Sequence, residues 1–255
     1  MKILVWIVIA AAAIGAVAYA VKDKPADNAP IMQAPAAVTV VPITHATAVL
    51  RYKDATVYTD PTGAASLFAG QPAADIVLVT DIHGDHLSTT TLAAVVGTTT
   101  SLIVPQAVKD LLPAALAARA RVLKNGETIQ EKGFSITGVA MYNLPEATSS
   151  PHVKGRGNGY VLEKDGARVY IAGDTAGTPE MRALKNIDIA LVPMNLPYTM
   201  TVEEAADAVL DFKPKAVYPY HYRGQDGLSD IQKFKQLVNA GDPAITVVLL
   251  DWYPA

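Results

Sequence analysis

From Val38 onward the chain is punctuated by short apolar or alternating runs that are too brief for helices and rich in Val, Ile, Thr and Tyr. "VTVVPI", "AVLRY", "ATVYT", "DIVLVT", "SLIVP" and "RVLK" come first, then "FSITGVAMY", "GYVLEK", "RVYIAG", "DIALVP", "AVYPY" and "ITVVLL". Such runs, bounded by Gly, Pro, Asn, Asp and Lys, predict strands. The "KDGA" between "GYVLEK" and "RVYIAG" reads as a hairpin turn. Helices are predicted to start at Ser88, near Pro105, at Thr178, at Thr201 and at Ser229. Thr201 with Glu204 and Ser229 with Gln232 have the spacing of capping boxes, a hydroxyl followed three residues later by an acid or amide. Alternation of strands and helices without a fixed repeat period predicts a mixed α/β domain.

The amino-terminal pattern is different. After Lys2 an uncharged apolar run extends from Ile3 to Val21 and contains Ala18, Tyr19 and Ala20, an A-x-A cleavage signature. Residues 1–21 therefore read as a signal peptide or a membrane anchor, and the expected location is periplasmic or secreted, anchored to the inner membrane if the segment is retained. Contact with the membrane is expected only through that segment. Residues 22–37, rich in Pro, Ala and charge, read as a flexible linker, and 38–255 as the folded domain.

Composition narrows the chemistry. A length of 255 residues with 51% hydrophobic content supports one substantial core, and a net charge of −3 gives no basic stripe for a nucleic-acid partner. A small-molecule substrate is the better expectation. With no cysteine in the chain, disulfides, thiolate metal sites and a cysteine nucleophile are excluded, so any metal is held by His and carboxylates.

Those residue types concentrate in "TDIHGDH", Thr80–His86, directly after an apolar run. In an extended chain, side chains two apart share a face, so Asp81, His83 and Asp85 can point one way, while Gly84 permits a tight turn that swings His86 to the same side. The other histidines are His45, His152 and His221. His152 lies in the loop "NLPEATSSPHVKGRGNG", His221 follows "AVYPY", and Asp174 ends the run "VYIAGDT". Singly each residue is as well explained as a solvated or structural group. Recurrence of ligand types at predicted strand ends, where open α/β sheets keep their sites, points to a shared metal site.

The order Asp-x-His-x-Asp-His, then a single His, then Gly-Asp-Thr, then a late His after a strand, resembles the metallo-β-lactamase superfamily. "ITHATAVLRYKDATVYTDP" looks like that family's opening hairpin, and the chain is similar to the compact branch that includes ascorbate-6-phosphate lactonase and N-acyl-phosphatidylethanolamine phospholipase. The resemblance implies an αββα sandwich of two mixed sheets with the site at one edge. It implies two divalent ions, most often Zn: Asp81, His83 and His152 on the first, Asp85, His86 and His221 on the second, Asp174 bridging both. The family usually has His where this chain has Asp81, and a harder carboxylate ligand favours Mn or Fe relative to a three-histidine site. His45 and Asp60 would hydrogen-bond the ligands. Arg156, Asn195, Tyr222 and Arg223 share loops with the ligands and are candidates for the pocket wall, "GRGNG" reads as a flexible turn, and Tyr52, Tyr58 and Trp252 read as core.

Two metals about 3.5–4 Å apart can share a water and lower its pKa toward about 7, which supplies hydroxide without a protein nucleophile. The absence of a G-x-S-x-G elbow agrees with this. Asp85 is the expected general base and acid. The implied reaction is hydrolysis of an ester-like bond in a lactone, carboxylic ester, amide or phosphodiester; the alternatives are a non-catalytic metal-binding or scaffold protein on the same fold, or a β-lactamase proper. For the amino-terminal segment, fractionation and N-terminal sequencing are expected to find an exported form beginning near Val21. A cytoplasmic protein still beginning at Met1 would overturn that expectation.

Overall fold

The computed structural model describes residues 38–254, so the signal or anchor segment and the linker lie outside the described residues. Two six- and seven-stranded sheets dominate the domain. The first contains β1 (Thr39–Thr44), β2 (Thr47–Arg51), β3 (Thr56–Thr59), β4 (Ile76–Leu78), β5 (Ser101–Val104) and β6 (Ala120–Val122), side by side in chain order. Its first three strands are antiparallel, and β3 through β6 are parallel. The second holds β7 (Thr128–Glu131), β8 (Phe134–Met141), β9 (Gly157–Lys164), β10 (Ala167–Ile171), β11 (Ile189–Pro193), β12 (Ala216–Tyr220) and the two-residue β15 (Thr246–Val247). There β7 to β10 are antiparallel and β10, β11, β12 and β15 parallel. A small hairpin, β13 (Arg223–Gly224) with β14 (Gly227–Leu228), follows β12.

The period-two alternation of the strands explains the layering. In β4, Ile76 and Leu78 join a core with Phe134, Ile136, Tyr160 and Leu162 of the other sheet. Val77 and its neighbour Val79 join a separate cluster with Leu92, Val96 and Val108, which lie in or beside the helices α1 (Thr89–Val95) and α2 (Gln106–Lys109). A short α3 (Ala114–Ala117) adds Leu116 to that outer cluster. Across the second sheet, α4 (Pro179–Arg182), α5 (Val202–Phe212) and α6 (Ile231–Gly241) bury Met181, Val209, Phe212, Phe234 and Val238. Phe212 meets the Tyr170 ring edge-on at 6.0 Å. The arrangement is the expected αββα sandwich with two mixed sheets. Among the described residues no helix is long and apolar enough to cross a membrane.

Local signals explain most element ends. Ser88 and Thr178 accept from Thr91 and Met181 at the starts of α1 and α4, and Thr201 with Glu204 forms the predicted capping box of α5. The "KDGA" turn has Asp165 and Gly166 at positive φ, as a two-residue hairpin requires. Ser229 departs from the prediction: its hydroxyl donates to Met194 O, and Asp230 caps α6 instead by accepting from Lys233 N–H. A carboxylate one residue later outcompetes the hydroxyl because it accepts more strongly and complements the helix dipole. "ITVVLL" also departs, shrinking to Thr246–Val247 plus one further bond from Val248 to Val217. The next rung needs an N–H from residue 219, which is proline. β7 was not expected; Lys132 and Gly133, both at positive φ, turn it into β8.

The sheets are stitched together where β4 ends. Thr80 O accepts from Asn158 N–H at 2.9 Å, Val79 O accepts from Tyr160 Oη at 2.8 Å, and Asn158 Nδ2 donates to Leu123 O at 2.7 Å. "GRGNG" is therefore only partly a turn, since Gly157 already starts β9. Gly159 is needed for close approach: a Cβ there would lie 2.8 Å from Ala172 O and 3.0 Å from Ile171 O. Gly159→Ala is expected to cost about 1–3 kcal/mol because backbone atoms cannot step aside as a side chain would. Urea unfolding at unchanged m-value measures this, and a loss within error of zero would show that the two strands separate freely.

Candidate metal centre

All seven proposed ligands converge at the strand ends. The loop after β4 folds back on itself, with His86 and Leu87 N–H groups donating to His83 O, and this brings His83, Asp85 and His86 to one side. Asp174 arrives from the end of β10, after Gly173 at φ +66, and His221 from the end of β12. His152 comes from the long β8–β9 connection. Two groups form, one of Asp85, His86, Asp174 and His221, the other of Asp81, His83 and His152, each with donor atoms within 4.8 Å of one another.

Asp174 joins them. Its Oδ2 lies 3.3 Å from His86 Nε2 and 3.2 Å from His152 Nε2, and its Oδ1 lies 3.2 Å from His221 Nε2. His221 Nε2 is also 3.3 Å from Asp85 Oδ2 and 3.2 Å from His86 Nε2. Asp81, His86, His152, Asp174 and His221 are buried, whereas the His83 and Asp85 side chains keep about 40% of their surface and form the open side.

A second row of groups fixes these rings. Asp60 Oδ2 lies 2.9 Å from His86 Nδ1, and the same carboxylate accepts from Thr80 N–H at 2.7 Å and Thr80 Oγ1 at 2.6 Å. His152 Nδ1 lies between Asn143 Oδ1 and Tyr198 O at 3.1 and 3.2 Å. His45 reaches Asp85 Oδ2 through Nε2 at 3.2 Å and Tyr253 Oη through Nδ1 at 2.8 Å. The orienting roles expected of His45 and Asp60 are thus present in the geometry. His45, Asp60 and His221 all have φ between 44° and 50°, a left-handed backbone costly for non-glycine residues. The strain sits where three strand ends turn toward the site.

Electrostatics make the arrangement one suited to a cation. Burial alone disfavours charge on every group, yet Asp174 and Asp60 hold His86 well above the ordinary imidazole range, and Asp174 and Asp85 raise His221. In the opposite sense burial is outweighed at Asp174, where His221 and His86 hold the carboxyl well below its usual range. Asp85 is held down as well, against burial, by His221 and His45. His152 Nε2, Asp174 Oδ1 and His221 Nδ1 are buried without a hydrogen-bond partner. Orphaned donor atoms and opposed imidazole nitrogens around one buried carboxylate fit divalent ions, whose binding must displace the protons that the rings otherwise take up.

Beside the cluster is a cavity of about 320 Å³ lined by His83, Asp85, Pro151, His152, Asp174, Asn195 and Tyr198. Asn195 is where the sequence placed it, and Tyr198, three residues on in the same loop, was overlooked although the same reasoning reaches it. Three other candidates are elsewhere. Arg156 grips Asp81 with two hydrogen bonds, Tyr222 is buried against Tyr253, and Arg223 lies over the Tyr253 ring at 4.2 Å.

Comparison with known proteins agrees with this class of site. Residues 39–221 match the family model of the beta-lactamase superfamily domain. A UPF0173 metal-dependent hydrolase of Thermococcus onnurineus is 32% identical over 189 residues, 69% of this chain and 79% of that protein. Another, from Pyrococcus horikoshii, is 36% identical over 186 residues, 69% of this chain and 78% of its own length. The chain belongs to the beta-lactamase superfamily and, within it, is a metal-dependent hydrolase of the UPF0173 family. A crystal structure from Parabacteroides distasonis is 38% identical, covers 83% of this chain and 92% of its own, and superposes with a TM-score of 0.73. Igni18, a metallo hydrolase from Ignicoccus hospitalis, is 20% identical with a TM-score of 0.70 over 84% of this chain and 95% of its own, a likeness of fold.

Because Asp174 faces three imidazoles from separate segments, Asp174→Ala is expected to strip divalent ions from both groups of ligands. Elemental analysis of purified wild type and variant measures it. Equal metal content in the two proteins would mean that Asp174 is not a ligand.

Proposed function

We propose that this hydrolase uses two divalent ions, held by Asp81, His83 and His152 and by Asp85, His86 and His221 with Asp174 between, to cleave an ester-like bond in a small molecule. The observation that carries the reading is the buried Asp174 carboxylate, contacted by imidazoles of both groups. Zn is the favoured ion, with Mn or Fe suited by a carboxylate at position 81. When bound, such ions supply Lewis acidity and bring the pKa of water toward about 7.

The chain's own groups do the remaining work. Asp85 is half-open to the cavity, and its Oδ2 is held by His45 and His221, so it is placed to accept a proton from attacking water and return it to the leaving group. Tyr253 fixes the His45 ring that holds Asp85. Asn195 and Tyr198 give the cavity one amide and one aromatic wall, and Asn195 Oδ1 is held by accepting from Thr199 Oγ1. Among the described residues no Lys or Arg lines the cavity, which supports an uncharged lactone, ester or amide over a phosphodiester. An exported location would expose the enzyme to substrates outside the cytoplasm.

Apo protein is expected to be inactive and to recover with added divalent ions, with a rate that rises through neutral pH. Asp85→Asn should keep the circular dichroism of wild type and lose about 10²–10⁴-fold in kcat on activated esters and lactones. A metal-loaded, folded wild type that hydrolyses no ester, lactone, amide or phosphodiester, or an Asp85→Asn variant as fast as wild type, would favour the non-catalytic reading.

A further inference from the structure

The two groups of ligands are unequal in charge. Asp85 and Asp174 bring two carboxylates, and among the described residues their only charged or chargeable partners are histidines. Asp81, by contrast, is already matched. Arg156 donates from Nε to Asp81 Oδ1 at 3.1 Å and from Nη2 to Asp81 Oδ2 at 3.0 Å, a bidentate pair, while Nη2 also reaches Pro151 O. Asp81 Oδ2 additionally lies 2.8 Å from His83 Nδ1. The Asp81 side chain has no exposed surface, so this pair is shielded from the water that weakens surface ion pairs.

We propose that Arg156 makes the two metal positions unequal: one ion is bound tightly by Asp85, His86, Asp174 and His221, and the second, beside His83 and His152, is bound weakly. The inference rests on the reading that two divalent ions are held here, and it changes the part of Asp81 in that reading from direct ligand to support of His83. Its cause is electrostatic. Asp85 and Asp174, two carboxylates without a partner of fixed charge, favour a dication among Asp85, His86, Asp174 and His221, whereas beside His83 and His152 the guanidinium cancels the one local carboxylate and hydrogen-bonds both of its oxygens. Asp81 then serves mainly to orient His83 through Nδ1, the role carboxylates often have behind metal-bound imidazoles. The direct donors left at this weaker position are His83 and His152, with the shared oxygen of Asp174. The acid at position 81 and the base at position 156 together present no net charge, as a neutral imidazole would, but they offer a poorer ligand.

Stepwise titration of metal-free protein with Zn, against a chelator of known affinity, tests this by binding alone. Wild type is expected to take up one ion with a Kd at least roughly 100-fold below that of the second. Arg156→Met, which frees Asp81, is expected to tighten the second step by roughly tenfold or more and leave the first within a few-fold. His83→Ala, at the open side of the site, should abolish only the weak step. Two ions of equal affinity in wild type would overturn the proposal, as would an Arg156→Met second step unchanged or weaker. Should Arg156→Met not fold, the wild-type and His83→Ala titrations decide. Absence of any bound ion would instead overturn the metal reading under the proposed function, so the two failures are distinct.

Discussion

The structure depends on burying negative charge where two sheets meet. Asp60, Asp81 and Asp174 are withdrawn from solvent at the ends of β3, β4 and β10, and Asp85 is half withdrawn. Isolated carboxylates in such surroundings would take up protons or unfold the loops around them. Each is answered in a different way: Asp60 by Thr80 and His86, Asp81 by Arg156 and His83, and Asp85 and Asp174 only by imidazoles. Among the described residues that last answer includes no cation of fixed charge. Function follows from that deficit, because the groups that lack a partner of fixed charge are the ones facing the cavity.

The stitching of the sheets serves the same end. If Thr80 did not accept from Asn158, and Val79 from Tyr160, the loop carrying Asp81 to His86 could not be registered against the strand that follows Arg156. Close approach at Gly157, where a Cβ would lie 2.8 Å from Thr80 O, leaves no side-chain volume there, so the two sheets meet through backbone at the edge that carries the site. Left-handed backbone at His45, Asp60 and His221 stores strain at the same edge, which a packed sandwich can sustain.

Much of this was legible because it is local. Strand alternation, the "KDGA" turn, the Thr201–Glu204 box and the seven ligand types at strand ends each depend on neighbours within a few residues. Failures were of the opposite kind. Ser229 has the right spacing for a cap, but Met194 O, 35 positions away, claims its hydroxyl. Arg156 shares a loop with His152 and so looked like a pocket residue, yet its partner is 75 positions earlier in the chain. The shortening of the last strand was readable in principle, since Pro219 lacks an N–H, but only once the pairing of β12 with β15 is known.

By itself the amino-acid sequence determined which atoms are available for chemistry: imidazole nitrogens and carboxylate oxygens, no thiolate, on segments whose periodicity makes them strand ends. Tertiary structure decided how those atoms are shared. It alone set Asp174 among three imidazoles, Tyr253 behind His45, and the guanidinium of Arg156 on Asp81. The physical reason is that ligand type is a property of one residue, whereas charge compensation is a property of the whole buried volume, and residues far apart in the chain compete for it.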